Sequence, residues 1–142
     1  MPSEAILAPM GALALLTFLV LINIPIRRFA AAAAGKVKRD DFKFGESANV
    51  PPPVTIPNRN YMNLLEMPVL FYVICFIALY LERADGAFLA LAWTYAGLRA
   101  AHSAIHLTYN SVFHRLTFFA LSNFVVIAMW ATIYAPLLGI KT

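Results

Sequence analysis

The chain has 142 residues, of which 61% are hydrophobic and 13% are charged, and its mean hydropathy is +0.72. So few charges cannot coat a soluble domain of this size, which indicates an integral membrane protein with a single domain. The net charge of +4 does not indicate nucleic-acid binding, because the basic residues flank apolar runs and form no nucleic-acid-binding motif.

Four apolar stretches predict an all-α membrane domain, a four-transmembrane-helix bundle that covers residues 1–142. The first span, at about 5–28, has no charge before Arg27 and is long enough to cross a bilayer. No basic segment precedes it, so we expect a retained span and not a signal peptide. The other spans are expected at about 58–81, 87–109 and 112–138, with a bend in the second at Pro68.

The connections between these spans also carry expectations. The run Lys36–Phe42 is expected to extend the first helix into water and to contact lipid headgroups. The prolines of Pro51–Pro53 and Pro57 predict an extended linker before the second span. The polar segment Glu82–Gly86 predicts a tight turn between the second and third spans.

Basic residues concentrate at one side of the predicted bundle. Those that border the first and third loops are Arg27, Arg28, Lys36, Lys38, Arg39, Lys43, Arg59 and Arg115. By the positive-inside bias, the first and third loops face the cytoplasm and both termini face outward. A bacterial inner membrane and an endoplasmic reticulum fit this orientation equally well.

Polar residues interrupt the apolar helices toward that same side. In a span such residues are costly and mainly occur where they line a site. Helix two carries three of them at the spacing i, i+4, i+7, namely Arg59, Asn63 and Glu66. On helix three, spaced i, i+3, i+7, are Arg99, His102 and His106. Each set covers an arc of about 60° on its helix. Arg115 stands in the first turn of helix four. We therefore predict a charged cavity at the cytoplasmic ends of helices two, three and four.

The residue types in this cavity indicate the class of ligand. Guanidinium groups bind carboxylates in bidentate fashion, while Glu66 and Asn63 can hold an ammonium or amide group. A small peptide-like anion with one amino group would match. Arg115, near a helix N-terminus, could also stabilise a thiolate through its charge and the helix dipole.

The sequences RNYMNLLE at 59–66 and RAAHSAIH at 99–106, followed by Arg115, resemble the MAPEG superfamily, the membrane-associated proteins of eicosanoid and glutathione metabolism. The resemblance covers nearly the whole chain and is closest to bacterial-type microsomal glutathione transferase-like members. It implies a homotrimer of four-helix subunits, with glutathione as the co-substrate bound between neighbouring subunits near the cytoplasmic side.

Residue by residue, the resemblance assigns roles to the polar cluster. The positions that it implies as glutathione contacts are Arg59, Asn63, Glu66 and His102. Arg115 matches an arginine that stabilises the thiolate, and Arg99 matches an interior arginine paired with the polar residues of helix two. Lys38 falls where a basic residue at the end of helix one approaches the tripeptide.

Two positions depart from the pattern of catalytic relatives. His106 stands where they often have a tyrosine, and Phe119 stands where another tyrosine hydroxyl would reach the ligand. A histidine can still donate a hydrogen bond to glutathione, whereas a phenylalanine cannot. The sequence therefore supports glutathione binding better than any particular reaction.

The leading prediction is a glutathione-dependent membrane transferase or peroxidase that acts on lipophilic electrophiles from the bilayer, with Arg115 as the catalytic residue. The alternative is a non-catalytic lipid-binding or scaffold protein, or a subunit of a larger assembly, which His106 and Phe119 favour. Separately, Glu66 and Arg99 could form only a buried ion pair that fixes helix register. His102 and His106 form an i, i+4 pair that could bind a metal, but no further ligands accompany them, so no metal site is expected. The lone Cys75 is interpreted as a packing residue.

Overall fold

The computed structural model describes residues 3–139, and within them all regular secondary structure is helical. The helices are α1 (Leu7–Ala33), α2 (Pro52–Leu65), α3 (Pro68–Tyr80), α4 (Gly86–Leu107) and α5 (Val112–Leu137), with short 3-10 turns at Ser3–Ile6 and Arg39–Phe42. The predicted all-α fold class is confirmed.

Three helical segments are long and apolar enough to cross a membrane: Glu4–Ala33, Pro52–Tyr80 and Val112–Leu137. α4 is not among them, because Arg99, His102 and His106 interrupt its apolar side chains. All three of these polar residues are buried, and α4 contacts α1, α2 and α5. The helix that carries these buried polar residues therefore packs against three other helices.

The second apolar segment is divided into two helices at Pro68. α2 ends at Leu65, the Glu66 backbone has ψ −96°, and α3 begins at Pro68. Proline has no N–H for the helical hydrogen bond, and its ring clashes with the carbonyl four residues earlier. The bend predicted at Pro68 is confirmed, and the helix is interrupted completely there.

The first loop differs from its prediction in two ways. α1 ends at Ala33, and Gly35, at φ +68°, reverses the chain in a Schellman motif, in which the N–H of Lys36 bonds the Ala31 carbonyl at 2.9 Å. The predicted helical extension through Lys36–Phe42 is therefore wrong beyond this turn, apart from the short 3-10 turn. α2 begins at Pro52, so the predicted linker is already helical there; a proline fits the first helical turn because its missing N–H would have no partner.

The core lies between α1, α3, α4 and α5. At its centre Phe71 of α3 stacks on Tyr95 of α4, with ring centroids 4.6 Å apart. Cys75 is fully buried in the same cluster, as its interpretation as a packing residue predicts. A second, smaller cluster packs the first loop against α1 and α2, and its members are Ala31, Val37, Val50 and Val54, with Phe42 against them.

Candidate functional site

At the break between α2 and α3, Arg99 of α4 caps the free end of α2. In a continuous helix the Asn63 carbonyl would accept a hydrogen bond from the N–H of Met67, four residues later. The break removes that bond, and the Arg99 guanidinium donates through Nη2 to the Asn63 carbonyl instead. A cation on α4 therefore stabilises the negative end of the α2 dipole.

The rest of the Arg99 side chain is buried, with no counterion among residues 3–139. Its Cζ lies 5.6 Å from the ring centroid of Phe119, and its Nε and Nη1 have no hydrogen-bond partner in residues 3–139. Glu66 is exposed and forms no ion pair with Arg99 in the described part of the chain. The interpretation of these two residues as a buried ion pair is therefore wrong, because Glu66 lies at the break and not on the regular surface of α2.

His102 of α4 is held by the backbone of α5. Its Nδ1 lies 3.0 Å from the carbonyl oxygen of Arg115. A carbonyl can only accept a hydrogen bond, so Nδ1 carries a proton, and in the neutral imidazole Nε2 is then an acceptor. Nε2 is buried and has no partner within residues 3–139. This nitrogen is free to accept a proton or a hydrogen bond from a ligand.

Arg115 is oriented by the loop that connects α4 to α5. The Ser111 hydroxyl oxygen accepts the N–H of His114 at 3.5 Å and caps α5, which places Arg115 in the first turn. The Arg115 guanidinium donates through Nη1 to the side-chain oxygen of Asn110 at 2.5 Å. Asn110 has φ +49°, a left-handed conformation that asparagine adopts more readily than most residues. The turn therefore fixes one side of the guanidinium and leaves the other available.

Side chains from three helices meet around one cavity at this end of the bundle. The cavity has a volume of about 220 Å³ and is lined by Asn63, His102, Val112, Arg115, Leu116 and Phe119. One wall is polar, from α2, α4 and the start of α5, and the other is apolar, from α5. Small-molecule sites commonly have volumes of about 300–1,000 Å³, so this cavity is smaller than most complete sites.

The match to a family model decides the classification of the chain. The model of the MAPEG family matches residues 6–135. The chain belongs to the MAPEG family. This family includes glutathione transferases and related membrane proteins, and together with the three apolar helical segments it identifies the protein as an integral membrane protein. No curated protein and no solved structure matches the chain.

The other polar residues of this MAPEG protein lie around the cavity lining and not in it. Arg59 on α2 and Glu66 at the break are exposed. His106 is buried one turn after His102, with ring centroids 5.8 Å apart, and its Nδ1 has no partner in the described part of the chain. Helical phase thus placed the α4 residues correctly on a buried face, whereas it did not foresee that Glu66 leaves the helix.

Lys38 lies in a different cavity of the MAPEG fold. It lines a space of about 450 Å³ between the end of α1 and the first loop, together with Arg28 and Phe42. The chain reversal at Gly35 explains this placement, because it turns Lys38 back along α1. Within one protomer, Lys38 therefore does not join Asn63, His102 and Arg115.

A buried polar pair beside the site was missed at the level of sequence. Asn60 of α2 is fully buried, and its side-chain oxygen accepts a hydrogen bond of 3.2 Å from the Ser103 hydroxyl of α4. The Asn60 side-chain nitrogen has no partner within residues 3–139. In the sequence, Asn60 adjoins Arg59 and Ser103 adjoins His102, which could have indicated a role at the site. Asparagine and serine are also common in turns and on surfaces, so their positions alone did not identify the pair.

The two histidines of α4 are candidate metal ligands by their i, i+4 spacing. Within residues 3–139, no group of three or more histidine, cysteine, aspartate or glutamate side chains could hold a metal ion. The chemistry available at the cavity is therefore that of an amide, an imidazole acceptor and a guanidinium.

Proposed function

We propose that this MAPEG protein is a glutathione-dependent membrane transferase or peroxidase acting on lipophilic electrophiles. The observation that carries the proposal is the shared cavity of Asn63, His102 and Arg115, which three different helices supply. An amide, an imidazole acceptor and a guanidinium suit a small anionic peptide with a thiol. Family membership makes glutathione the first ligand to test.

In the proposal, glutathione is held mainly by side chains of α2 and α4. The contributing residues are Arg59, Asn63, Glu66, Arg99, His102 and His106. The exposed Arg59 suits a carboxylate of the peptide, and the exposed Glu66 suits its ammonium group. Arg99 acts through the Asn63 carbonyl, because its guanidinium holds the end of α2 where Asn63 enters the cavity. Lys38 would meet glutathione only from a neighbouring subunit.

The size of the cavity supports a site shared between copies of the chain. About 220 Å³ is too little for a complete tripeptide site of the usual size. Arg59 and Glu66 are exposed on a protomer whose outer surface is otherwise largely apolar. We therefore propose that a second copy completes the site, in the homotrimer that the family resemblance implies.

The proposed reaction needs a thiolate, and two groups at the cavity favour one. The His102 Nε2 lone pair can accept the thiol proton and pass it to water, while the Arg115 charge and the positive end of the α5 dipole stabilise the sulfur anion. The thiolate attacks an electrophilic carbon, a C–S bond forms, and the leaving group departs with its electron pair. No protein nucleophile is required, so catalysis comes from positioning and thiolate stabilisation.

With a lipid hydroperoxide the same thiolate would attack a peroxide oxygen. The O–O bond breaks, the alcohol leaves after taking up a proton, and glutathione is oxidised to a sulfenic acid. A second glutathione then forms the disulfide and releases water. The electrophile would enter from the apolar wall, where Val112 and Leu116 are 69% and 62% exposed and Phe119 lies behind them.

The orientation of the site follows from the basic residues around it. Arg59 and Arg115 lie at the same end of the bundle as the basic first loop, so we propose that the site faces the cytoplasm. Cytoplasmic glutathione would then reach it directly, while the electrophile would arrive through the lipid.

Two measurements test the proposal on the purified full chain. We expect isothermal titration calorimetry to show heat on addition of millimolar glutathione, and we expect steady turnover of a chlorodinitrobenzene-type substrate. Thiolate formation should appear as added ultraviolet absorbance near neutral pH when glutathione is bound. Absence of heat, of thermal stabilisation and of turnover would reject the proposal.

A second candidate function is favoured by one residue of the cavity. Phe119 lines it without a hydroxyl, so no phenolic donor reaches the ligand from this position. This supports a non-catalytic membrane protein that binds lipid or forms part of a larger assembly. The calorimetric test separates the two functions, because such a protein would show neither glutathione binding nor turnover.

A further inference from the structure

We propose that the buried side chains of Asn60 and Ser103 are a positioning pair for the glutathione site. The Ser103 hydroxyl of α4 donates to the side-chain oxygen of Asn60 on α2 at 3.2 Å, and both residues are buried. Neither residue lines the cavity of Asn63, His102 and Arg115, so the pair acts through other side chains. It fixes α2 against α4 and thereby holds Asn63 and His102 in one cavity. The inference rests on the proposed function, because it concerns the same site.

The position of α2 depends on the helices around it. α2 begins at Pro52 after the first loop and ends at Leu65, where the break before Pro68 separates it from α3. It packs on α1 and α4. Because a short helix is stabilised mainly by tertiary packing, its contacts with α4 decide where Asn63 lies relative to His102.

The buried face of α2 is otherwise apolar. Among the described residues Pro52–Leu65 of this helix, Asn60 is the only polar one that is buried, and its buried neighbours are Val54, Pro57 and Leu64. Apolar contacts are non-directional, so these alone would tolerate a shift of α2 along α4 or a rotation about its axis. A buried hydrogen bond requires one alignment, and a single buried amide can fix the register of packed helices.

The Ser103 hydroxyl differs from most helical hydroxyls of the described chain. Serine and threonine in a helix can donate to a backbone carbonyl three or four residues earlier in the same helix. Hydroxyls that do so include those of Thr17, Thr94, Thr117 and Ser122. Ser103 donates instead to a side chain of another helix. Its hydrogen bond is therefore specific to the contact between α2 and α4.

A second hydrogen bond joins the same two helices one turn away. The Arg99 guanidinium donates to the Asn63 carbonyl. Arg99 precedes Ser103 by four residues on α4. Asn63 follows Asn60 by three residues on α2, as expected for antiparallel helices with about 3.6 residues per turn. Two contacts one turn apart fix both the translation and the rotation of α2, and His102 lies between their two α4 residues along the chain.

Two single variants remove the contact between Asn60 and Ser103 with different effects on stability. Ser103→Ala leaves the Asn60 side-chain oxygen buried without its donor, so it should lower the free energy of unfolding. Asn60→Leu leaves the Ser103 hydroxyl able to bond the Arg99 carbonyl of its own helix, so its effect on stability should be smaller. Both variants remove the contact that sets the register. We therefore expect them to weaken the glutathione site equally, and Asn60→Leu provides the test even if Ser103→Ala does not fold.

The experiment measures steady-state conjugation by the purified full chain with glutathione and a chlorodinitrobenzene-type substrate. In both variants kcat/KM for glutathione should fall by about 10–100-fold, since misplacement by about 1 Å can cost about 10²-fold. The KM for glutathione should rise, and calorimetry should show weaker binding. The KM for the electrophile should not change, because Val112 and Leu116 of the apolar wall belong to α5. Loss of folded protein alone would lower kcat and leave both KM values unchanged.

Two further variants separate positioning from stability. Ser122→Ala removes a buried hydroxyl that donates to the Phe119 carbonyl of its own helix at 2.8 Å, so the KM for glutathione should stay the same. N60L/S103A replaces both partners by apolar side chains and should recover the stability lost in Ser103→Ala, because neither buried polar group of the pair remains. Its KM for glutathione should remain raised. Denaturation followed by circular dichroism measures the stability of each variant.

The results that would overturn the proposal differ from those that would reject the proposed function. A KM for glutathione that is raised in Ser103→Ala but normal in Asn60→Leu and N60L/S103A would show that the pair only stabilises the fold. Unchanged kinetics in all three variants, with glutathione binding and turnover in the unaltered chain, would reject the positioning pair alone. Absence of calorimetric heat and of turnover in the unaltered chain would reject the proposed function and this role with it.

Discussion

The two ends of the helix bundle are packed by different kinds of contact. Toward the end built from α3, the start of α4 and the end of α5, the core is apolar and extends from the stacked rings of Phe71 and Tyr95, whose hydroxyl is buried without a partner in the described chain. At the other end, Arg99, His102 and His106 are buried, and each keeps a polar atom without a partner among residues 3–139. An unsatisfied buried polar group costs about 1–3 kcal/mol. The apolar end therefore stabilises the fold through packing, whereas the polar end carries buried donors and acceptors that the proposed ligand would satisfy.

The largest effect on stability is expected at the apolar end. Phe71→Ala should lower the free energy of unfolding by about 3–5 kcal/mol, because a fully buried ring is replaced by a cavity. Denaturation of the purified chain in mixed micelles, followed by circular dichroism, measures this. The matched control is Phe76→Ala on the same helix, where the ring is 57% exposed. Equal losses in both variants would contradict the division of the bundle into a stabilising and a functional end.

The largest effect on activity is expected at the polar end. Arg115→Ala should lower the rate of chlorodinitrobenzene conjugation by about 10²–10³-fold, as for loss of one electrostatic stabiliser, with little change in unfolding. Arg115→Lys should restore part of the rate, because the charge returns without the planar donor. Arg83→Ala, at an exposed arginine of the opposite loop, is the control. Activity that survives Arg115→Ala would remove Arg115 from the mechanism.

A smaller effect is expected for His106→Leu, which should raise stability and lower glutathione affinity. His106→Leu removes a buried imidazole whose Nδ1 has no partner in residues 3–139, so the free energy of unfolding should rise by about 1–3 kcal/mol. Glutathione affinity, measured by calorimetry, should fall in the same variant. A loss of stability would show instead that His106 is satisfied by ordered water and is structural.

Much of this comparison could be predicted from sequence. The apolar runs predicted the helices, and the phase of Arg99, His102 and His106 predicted one shared face of α4, because both depend on local periodicity. The family resemblance rested on the same residues and is confirmed by the family model. The hydrogen-bond partner of Arg99 could not be predicted from sequence. It is a backbone carbonyl freed by a helix break, and no particular side chain indicates such a group.

The errors in the first loop have a related cause. Whether a glycine reverses the chain, and whether a proline starts a helix, depends on backbone geometry. The run from Lys36 was therefore compatible with a helix or a turn, and the prolines from Pro51 with a linker or a helix start. The placement of Lys38 followed from that geometry. Glu66 left the predicted face for the same reason, because a break shifts every residue after it.

The ion pair between Arg28 and Glu46 also permits a test of a weaker interaction. A double-mutant cycle between Arg28→Ala and Glu46→Ala should give a coupling of about 0.2–1 kcal/mol, because this ion pair is only partly buried. Thermal unfolding in detergent at two salt concentrations measures it, and the coupling should shrink at high salt. A coupling above that range would mean that the loop contributes to global stability as strongly as the core.

The smallest expected effect is a titration in the same loop. The pKa of Asp41 is lowered from its ordinary value of 3.8, first by the Lys38 backbone N–H and then by the Ser47 hydroxyl. A lowered folded-state pKa stabilises the loop above pH 3.8, and this contribution is lost as pH falls through the lower value. Carboxyl NMR should show Asp41 titrating below 3.8, with the signal absent in Asp41→Asn. Titration at or above 3.8 would show that these bonds are not formed in solution.

The cap on α2 has a consequence for how the protein enters the membrane. The Asn63 carbonyl precedes its donor, Arg99, by 36 positions, so the ribosome makes the acceptor well before the group that satisfies it. Until Arg99 is in place, this carbonyl needs water at the membrane interface, because an unpaired carbonyl in hydrocarbon costs several kcal/mol. We therefore expect the broken second segment to wait at the translocon or the interface until α4 has been made, so that α2, α3 and α4 enter the bilayer as one unit.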